Sequence, residues 1–323
     1  MNYRELIITN KEAGRRIDVL LSKRFSRFSR AQISKEIENG TIFSTSRSIK
    51  PATCVMLGEC IRMIVPELLP STAPPPLPQI IFEDDFLLLV NKPAGMLVHP
   101  TGDFFVWALI GLFKSAYPNH RIDLVHRLDR ETSGALLLTK KIEANSFLKK
   151  AIIQHQVQKI YLAIVVGCPE WDELDVKIPI DVLPKSSLHL RRGFVENGPF
   201  CHTKFVVEKK IQNKYSLIRC HLYTGRTHQI RVHLEHIGYP ILGDKIYGHH
   251  NDFYIEYLQK GLSNDMVQEW ILHRQALHAH EIFFPHPSGG HKRIQIPLPA
   301  ELQSIVDGRE PEWDFNHCPL ECE

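Results

Sequence analysis

The sequence predicts an α+β protein, a mixed and largely antiparallel sheet preceded by a small basic α/β unit. Three observations carry that expectation. Strand-like runs outnumber helix-like segments and do not alternate with them, which argues against a doubly wound parallel sheet. Six of the 21 prolines crowd into PELLPSTAPPPLP, residues 66–78, which marks a boundary. The surplus positive charge lies wholly before that boundary: residues 1–65 hold 12 Lys/Arg against 6 Asp/Glu, and the rest 27 against 30.

Length and composition set the frame. With 323 residues, 43% hydrophobic and 23% charged, the chain has ordinary globular composition. At roughly 150 residues per domain it divides into about two domains. It is long enough to bury about three quarters of its unfolded surface without disulfide or metal. No apolar run nears the ~18 residues of a membrane span, and MNYRELIITN lacks the apolar stretch of a secretory signal. Seven cysteines, an odd count without framework spacing, suit reduced thiols. A cytoplasmic protein without membrane contact is expected.

In the head, residues 1–65, Ile17, Leu20, Leu21 and Phe25 predict a short helix over Arg16–Phe25. Ser29 and Gln32 have the spacing of a capping box. The helix they open carries Ile33 and Ile37 on one face and stops at Gly40. Thr41–Phe43 and Ile61–Val65 read as strands. Proline fixes φ and removes a donor, so residues 66–78 form an extended spacer. A basic block beside a near-neutral body points to a polyanion, most simply nucleic acid. Arg16, Arg30 and Lys35 are the head's candidate phosphate contacts.

The head resembles the RNA-binding domain named after ribosomal small-subunit protein four. Gly14-Arg15-Arg16-Ile17-Asp18, Ser29-Arg30, Ile37 with Gly40, and Gly58-Glu59 carry the likeness. The family's Val-x-Val-Asn-Gly turn is replaced by Ile42-Phe43-Ser44-Thr45-Ser46, and its Gly-Asp by Gly58-Glu59.

The body, residues 79–323, offers strands at Gln79–Glu83, Leu87–Asn91, Ala135–Thr139, Tyr161–Val166, Lys204–Glu208, Tyr215–Cys220 and Arg293–Ile296. Helices are expected at Glu143–His155 and Thr227–His236. Two strings stand out. His126-Arg127-Leu128-Asp129-Arg130-Glu131-Thr132-Ser133-Gly134 places a carboxylate between arginines ahead of a buried strand. Neighbouring guanidinium groups favour the charged form of Asp129, which suits a nucleophile or base at neutral pH. In Gly225-Arg226-Thr227-His228-Gln229-Ile230-Arg231, Thr227 reads as a helix N-cap. Arg226 beside the helix N-terminus is a candidate phosphate contact, and Arg231, one turn inside, can meet a buried carboxylate.

Together these strings make the body resemble the RluA family of pseudouridine synthases. Further matching pieces are Asp84-Asp85, Val90–Gly95, Lys159–Ala163, Gly238–Asp244 with Tyr247-Gly248, and Gln275–Ala279 with His286-Pro287. The resemblance implies the pseudouridine synthase fold and isomerisation of uridine within RNA, with no cofactor. It makes Asp129 the nucleophile, attacking either the ribose anomeric carbon or the base. Arg231 becomes its salt-bridge partner, Tyr161 stacks on the target base, and Arg127 fills the space of the flipped nucleotide. The target uridine must leave its stack to reach an internal carboxylate.

Competing readings are weaker. The spacing of His228, His233 and His236, and of His278 and His280, matches no recognised zinc site, and His317-Cys318-x-x-x-Cys322 lacks a partner pair. No metal is expected. Gly289-Gly290 reads as a hairpin turn, and the aromatic run 103–107 as core. A hydrolase would need a second carboxylate or metal ligands. A non-catalytic ribosome-assembly protein would need no set of Asp129, Tyr161 and Arg231. The head-plus-body arrangement favours large-subunit ribosomal RNA over tRNA as partner, and implies no protein partner.

Overall fold

The computed structural model describes residues 2–10, 12–25, 30–65, 74–99, 108–184, 186, 188, 190–260 and 263–310. Ser29 of the expected capping box, residues 103–107 and the Cys318/Cys322 tail lie outside the described residues, as does most of the proline-rich stretch. The described residues form two compact units, one within 1–65 and one within 74–310.

The N-terminal unit runs β1 (Asn2–Ile7), α1 (Ile17–Arg24), α2 (Arg30–Glu38), β2 (Ile42–Ser44) and β3 (Cys60–Val65). Its antiparallel sheet has the order β1-β3-β2. Ile17, Leu20, Leu21, Ile33, Ile37 and Ile61 form the core, so both helices bury the apolar faces that their spacing predicts. The second helix ends at Gly40, whose φ of +76° is readily open only to glycine. Buried Glu59 binds the head's connections together, accepting from Ser44 Oγ (2.7 Å), Arg47 Nε (2.9 Å) and the Met56 N–H (2.8 Å). These contacts, Arg47 first, outweigh burial and hold its pKa at about 2. The first strand was not legible in the sequence, because Arg4 and Glu5 interrupt its apolar pattern.

The larger unit begins with β4 (Gln79–Glu83), β5 (Leu87–Lys92), α3 (Leu109–Ala116), β6 (Asp123–Leu124), β7 (Ser133–Thr139) and α4 (Ile142–Ile153). It continues through β8 (Gln158–Val166), β9 (Glu173–Val182), β10 (Arg192–Phe194), β11 (Phe200–Ile211), β12 (Tyr215–Leu222) and α5 (Gln229–His236). The last elements are α6 (Asn251–Lys260), α7 (Asn264–Trp270), β13 (Leu277–Pro285), β14 (His291–Gln295) and α8 (Ala300–Val306). Eleven strands form one sheet with central path β10-β9-β11-β12-β8-β13-β7-β5-β4; β14 pairs with β13 and β6 with β7. Every pairing is antiparallel except β13 with β7. That is the mixed, largely antiparallel α+β sheet expected from the sequence.

The differences are local and have causes. The helix expected at Glu143–His155 spans Ile142–Ile153, and His155 turns the chain at φ +58°. Thr227 is not a cap: the fifth helix starts at Gln229, behind a left-handed His228 with φ +59°. The expected Gly289-Gly290 turn closes the hairpin of β13 and β14, with the His286 N–H donating to the Gly290 carbonyl (2.9 Å). No helix among the described residues is long and apolar enough to cross a membrane.

At the parallel pairing, the backbones of β7 and β13 meet at Gly134 and Ala279. A Cβ at Gly134 would lie 2.3 Å from the Ala279 carbonyl oxygen, and φ there is +106°. Neither strand can retreat, since Leu136, Leu137 and Leu138 on one and Ile282 and Phe284 on the other are buried. Gly134→Ala is therefore expected to cost at least about 2 kcal/mol. Thermal unfolding should show a midpoint lower by about 4 °C or more; an unchanged midpoint would refute the close approach.

Candidate active site

Asp129 sits in the segment joining β6 to β7, where the Thr132 N–H donates to the Asp129 carbonyl (3.2 Å) and closes a turn. Buried cations and amides pin this turn from both sides. Lys92, at the end of β5 and 0% exposed, donates to the carbonyls of Pro93, Met96 and Arg130, each at 2.8 Å. Glu131 accepts from Lys245 Nζ (2.8 Å) and from the Gln275 N–H (3.0 Å), and Gln275 Nε2 donates to Thr132 Oγ1 (2.6 Å). The carboxylate at the tip has little freedom to wander.

Arg231 enters from α5. Its side chain is 7% exposed, and it meets two carboxylates differently. Toward Asp244, fully buried, it presents a two-point fork, Nε to Oδ2 at 2.6 Å and Nη2 to Oδ1 at 2.8 Å. Toward Asp129 it makes one bond, Nη1 to Oδ2 at 3.1 Å. The expected pairing of Arg231 with Asp129 is thus a single contact, and the planar fork belongs to Asp244. Asp244 is held in turn by the N–H groups of Ile246 (2.9 Å) and Tyr247 (3.1 Å).

These contacts set the ionisation of the site. Burial pushes the Asp129 carboxyl up, but His228 and Arg231 outweigh it and hold the group below its usual value. At neutral pH burial keeps His228 itself uncharged, with a pKa of about 4, so the Arg231 guanidinium is the charge that matters. Asp129 is ionised, its side chain is 29% exposed, and its Oδ1 makes no hydrogen bond among the described residues. The left-handed His228 places Nε2 at 3.9 Å from Asp129 Oδ2, and its Nδ1 lies 2.8 Å from the Tyr247 hydroxyl. The Arg192 N–H also donates to that hydroxyl (3.1 Å).

Tyr161 lies on β8, between Cys220 of β12 and Ala279 of β13. Its ring is buried, and its hydroxyl makes no hydrogen bond among the described residues. Burial first, then the Asp129 charge, raises its pKa, so the phenol stays protonated. Asp129, Arg231 and Tyr161 thus come together from a turn, a helix and a strand. Arg127 and Arg226 are exposed, outside the carboxylate's ion-pair contacts. Asp244, His228, Tyr247 and Lys92 were missed as site residues. The strings holding Asp244, Tyr247 and Lys92 were visible, but nothing local assigns them a partner.

The N-terminal unit holds its own charged cluster. Asp18, with a side chain 3% exposed, accepts from Arg16 Nε (3.1 Å) and Nη2 (2.9 Å) and from Arg30 Nε (2.9 Å). Both arginines stay exposed and line a depression of about 480 Å³ with Asp18, Ser34, Lys50 and Pro51. Lys35 is exposed on α2 but does not line that depression.

The sheet thus carries an ionised carboxylate beside a buried arginine and a protonated tyrosine. Residues 86–236 match the family described as RNA pseudouridylate synthase. The chain is 32% identical over 314 residues to ribosomal large subunit pseudouridine synthase D of Xanthomonas campestris pv. campestris, covering 94% of this chain and 92% of that protein. To the protein of the same name from Nitrosomonas europaea it is 35% identical over 317 residues, covering 94% and 87%. Human RNA pseudouridylate synthase domain containing 4 shares the fold, with a TM-score of 0.56 at 24% identity over 71% of this chain and 92% of that one. The chain belongs to the RluA family of RNA pseudouridine synthases.

The Arg231–Asp244 fork predicts a pH signature. Burial raises the Asp244 pKa, but Arg231 and two backbone donors bring it below the usual 3.8. Its contribution is present above that unfolded value and is lost as pH falls through the lower folded one. Asp244→Asn should cost about 3 kcal/mol at neutral pH, the lower end for breaking a buried pair. It should also flatten the loss of stability below about pH 4. Denaturant midpoints measured across that range check both; parallel profiles for the two proteins would contradict the assignment.

Proposed function

We propose that this enzyme converts uridine to pseudouridine in large-subunit ribosomal RNA, with Asp129 as the nucleophile. The observation that carries the reading is the carboxylate itself. It is ionised, partly exposed and gripped on one oxygen only, which leaves Oδ1 directed by a rigid turn and unbonded among the described residues. The isomerisation breaks the bond from ribose C1′ to N1 and makes one from C1′ to C5; C5 loses a proton and N1 gains one. Arg231 keeps Asp129 charged until it attacks and supports it as a leaving group afterwards. The Tyr161 ring stacks on the extruded base, with its protonated hydroxyl near the sugar. Arg127, exposed at the mouth of the same segment, occupies the space the uridine leaves, and Arg226 meets backbone phosphate. The names of both bacterial relatives support the ribosomal target.

In this reading residues 1–65 are an RNA-binding domain like that of ribosomal small-subunit protein four, residues 66–78 a linker and 79–323 the catalytic domain. Asp18 Oδ2 accepts from both Arg16 and Arg30 and so gathers the two exposed guanidinium groups at one spot for phosphates, and Lys35 adds charge on the helix of Arg30. The enzyme works in the cytoplasm, where the described cysteines, all free, stay reduced.

Asp129→Asn keeps shape and loses nucleophilicity, and should form no pseudouridine while binding RNA as the wild type does. Tyr161→Phe should bind normally and turn over at least about 100-fold more slowly. Mapping pseudouridine in ribosomal and transfer RNA with each variant tests both; an Asn variant within about tenfold of wild type would sink the nucleophile. Modification confined to tRNA would move the target.

For the head, replacing Arg16 and Arg30 by Gln should reduce the dependence of log affinity on log salt by about 0.7–0.9 for each phosphate left without its arginine. An unchanged slope across a salt titration would show that these arginines serve another partner.

A further inference from the structure

Lys159 stands two residues before Tyr161 on β8, and alternation along a strand puts both side chains on one face of the sheet. In register it faces Leu222, the last residue of β12, after which the chain turns through 223–228 into α5. The ammonium reaches that turn: a Cβ at Gly225 would lie 3.0 Å from Lys159 Nζ. Its charge also reaches His126, from the segment that leads to Asp129. Burial first, and the Lys159 charge second, holds His126 at a pKa of about 3, so it is neutral and offers no negative partner. Lys159 therefore stands against the turn that leads to Arg231, and its charge is felt in the segment that leads to Asp129.

Its isolation separates it from the other buried cations of this unit. Lys92 has three carbonyls, Lys245 has Glu131 and the His273 carbonyl, and Arg231 has two carboxylates. Among the described residues Lys159 has no carboxylate or carbonyl partner, and it is beyond ion-pair distance of Asp129. Burial alone brings its pKa down to about 8, so it remains largely charged at neutral pH. A half-buried cation without a counter-ion, beside the turn into α5 of an enzyme that acts on a polyanion, is suited to take up an anion.

Resting on the RNA-isomerase reading above, we propose that Lys159 is a phosphate site of the catalytic cleft, its ammonium taking one backbone phosphate that flanks the uridine held at Asp129 and Tyr161. Gly225, without a side chain, leaves the ammonium room to turn toward the strand. The site fixes the register of the RNA, so that the flipped nucleotide and no neighbour is presented to the carboxylate. Phosphate contacts of this kind position a nucleic acid without reading its sequence.

The test uses the full chain and a large-subunit ribosomal RNA fragment that it modifies, prepared with single neutral methylphosphonate linkages at successive positions around the target uridine. With wild type, the linkage at the Lys159 phosphate should lower affinity by about tenfold, the worth of one charge-assisted contact. Lys159→Met, which keeps the stem and removes the charge, should lose a similar factor on native RNA and nothing more on that one substituted RNA. Its salt slope should fall by about 0.7–0.9, and Lys159→Arg should restore most of the binding. Equal affinity of wild type for every linkage, or additive losses with Lys159→Met at all of them, would overturn the phosphate site. If the Met variant does not fold, Lys159→Gln takes its place in the same comparison of native and substituted RNA. RNA bound by wild type without pseudouridine formed would overturn the functional reading alone, since the linkage scan reads binding.

Discussion

Arg231 carries a charge almost wholly removed from water, and two carboxylates answer it unequally. Desolvating a guanidinium costs several kcal/mol, recovered only where geometry and hydrogen bonding are nearly complete. Asp244 supplies that completeness with two bonds and is itself satisfied by two N–H groups. Asp129 then receives the remaining guanidinium edge through one bond. In the proposed reading, this division lets a buried arginine serve both the fold and the Asp129 carboxylate. Were the fork turned on Asp129, both carboxylate oxygens would be engaged and the group would be a poor nucleophile. The ring of Tyr247, 4.8 Å below the guanidinium, closes the stack and ties His228 to the same arrangement.

Around that centre, rigidity comes from buried polar tethers to the turn. The turn carrying Asp129 is held by Lys92 through carbonyls, by Lys245 through Glu131 and by Gln275 through Thr132. Each tether starts on a different element. A displacement of the carboxylate would have to break several buried polar bonds at once, and each would leave an unpaired donor in a low-dielectric interior. Such preorganisation is worth more at an active site than additional apolar packing.

What was legible in the sequence was local. Apolar spacing located the buried strands at Leu87–Asn91 and Ala135–Thr139, within one or two residues of their observed ends, and both helices of the head, since these depend on patterns a few residues long. Thr227 meets every local criterion for a cap, yet the helix starts later. The Gln229 side chain accepts from Thr224 Oγ1 and the Arg226 N–H, organises the preceding turn, and leaves His228 left-handed. The ninth strand escaped notice because Pro179 and alternating charges disguise it among neighbours that supply its pairing. Asp129 was legible as an unusual carboxylate between arginines, and the family likeness placed Arg231 beside it. The Asp244 fork links a helix to a loop 13 residues on, and no periodicity encodes such a bond.

The parallel pairing of β13 with β7 also governs when the molecule becomes an enzyme. Ser133 and its buried partner His278 are 145 residues apart, joined through Ser133 Oγ and His278 Nδ1 at 2.8 Å. The strand that fills the centre of the sheet is thus among the last made, and Gln275 and Lys245, which pin the Asp129 turn, arrive just before it. At about 5–20 residues per second, a growing chain spends many seconds with the N-terminal unit complete and the Asp129 turn untethered. A nascent chain in that interval can already fold its basic head but cannot yet fix its carboxylate, so any grip on RNA precedes the capacity to alter it.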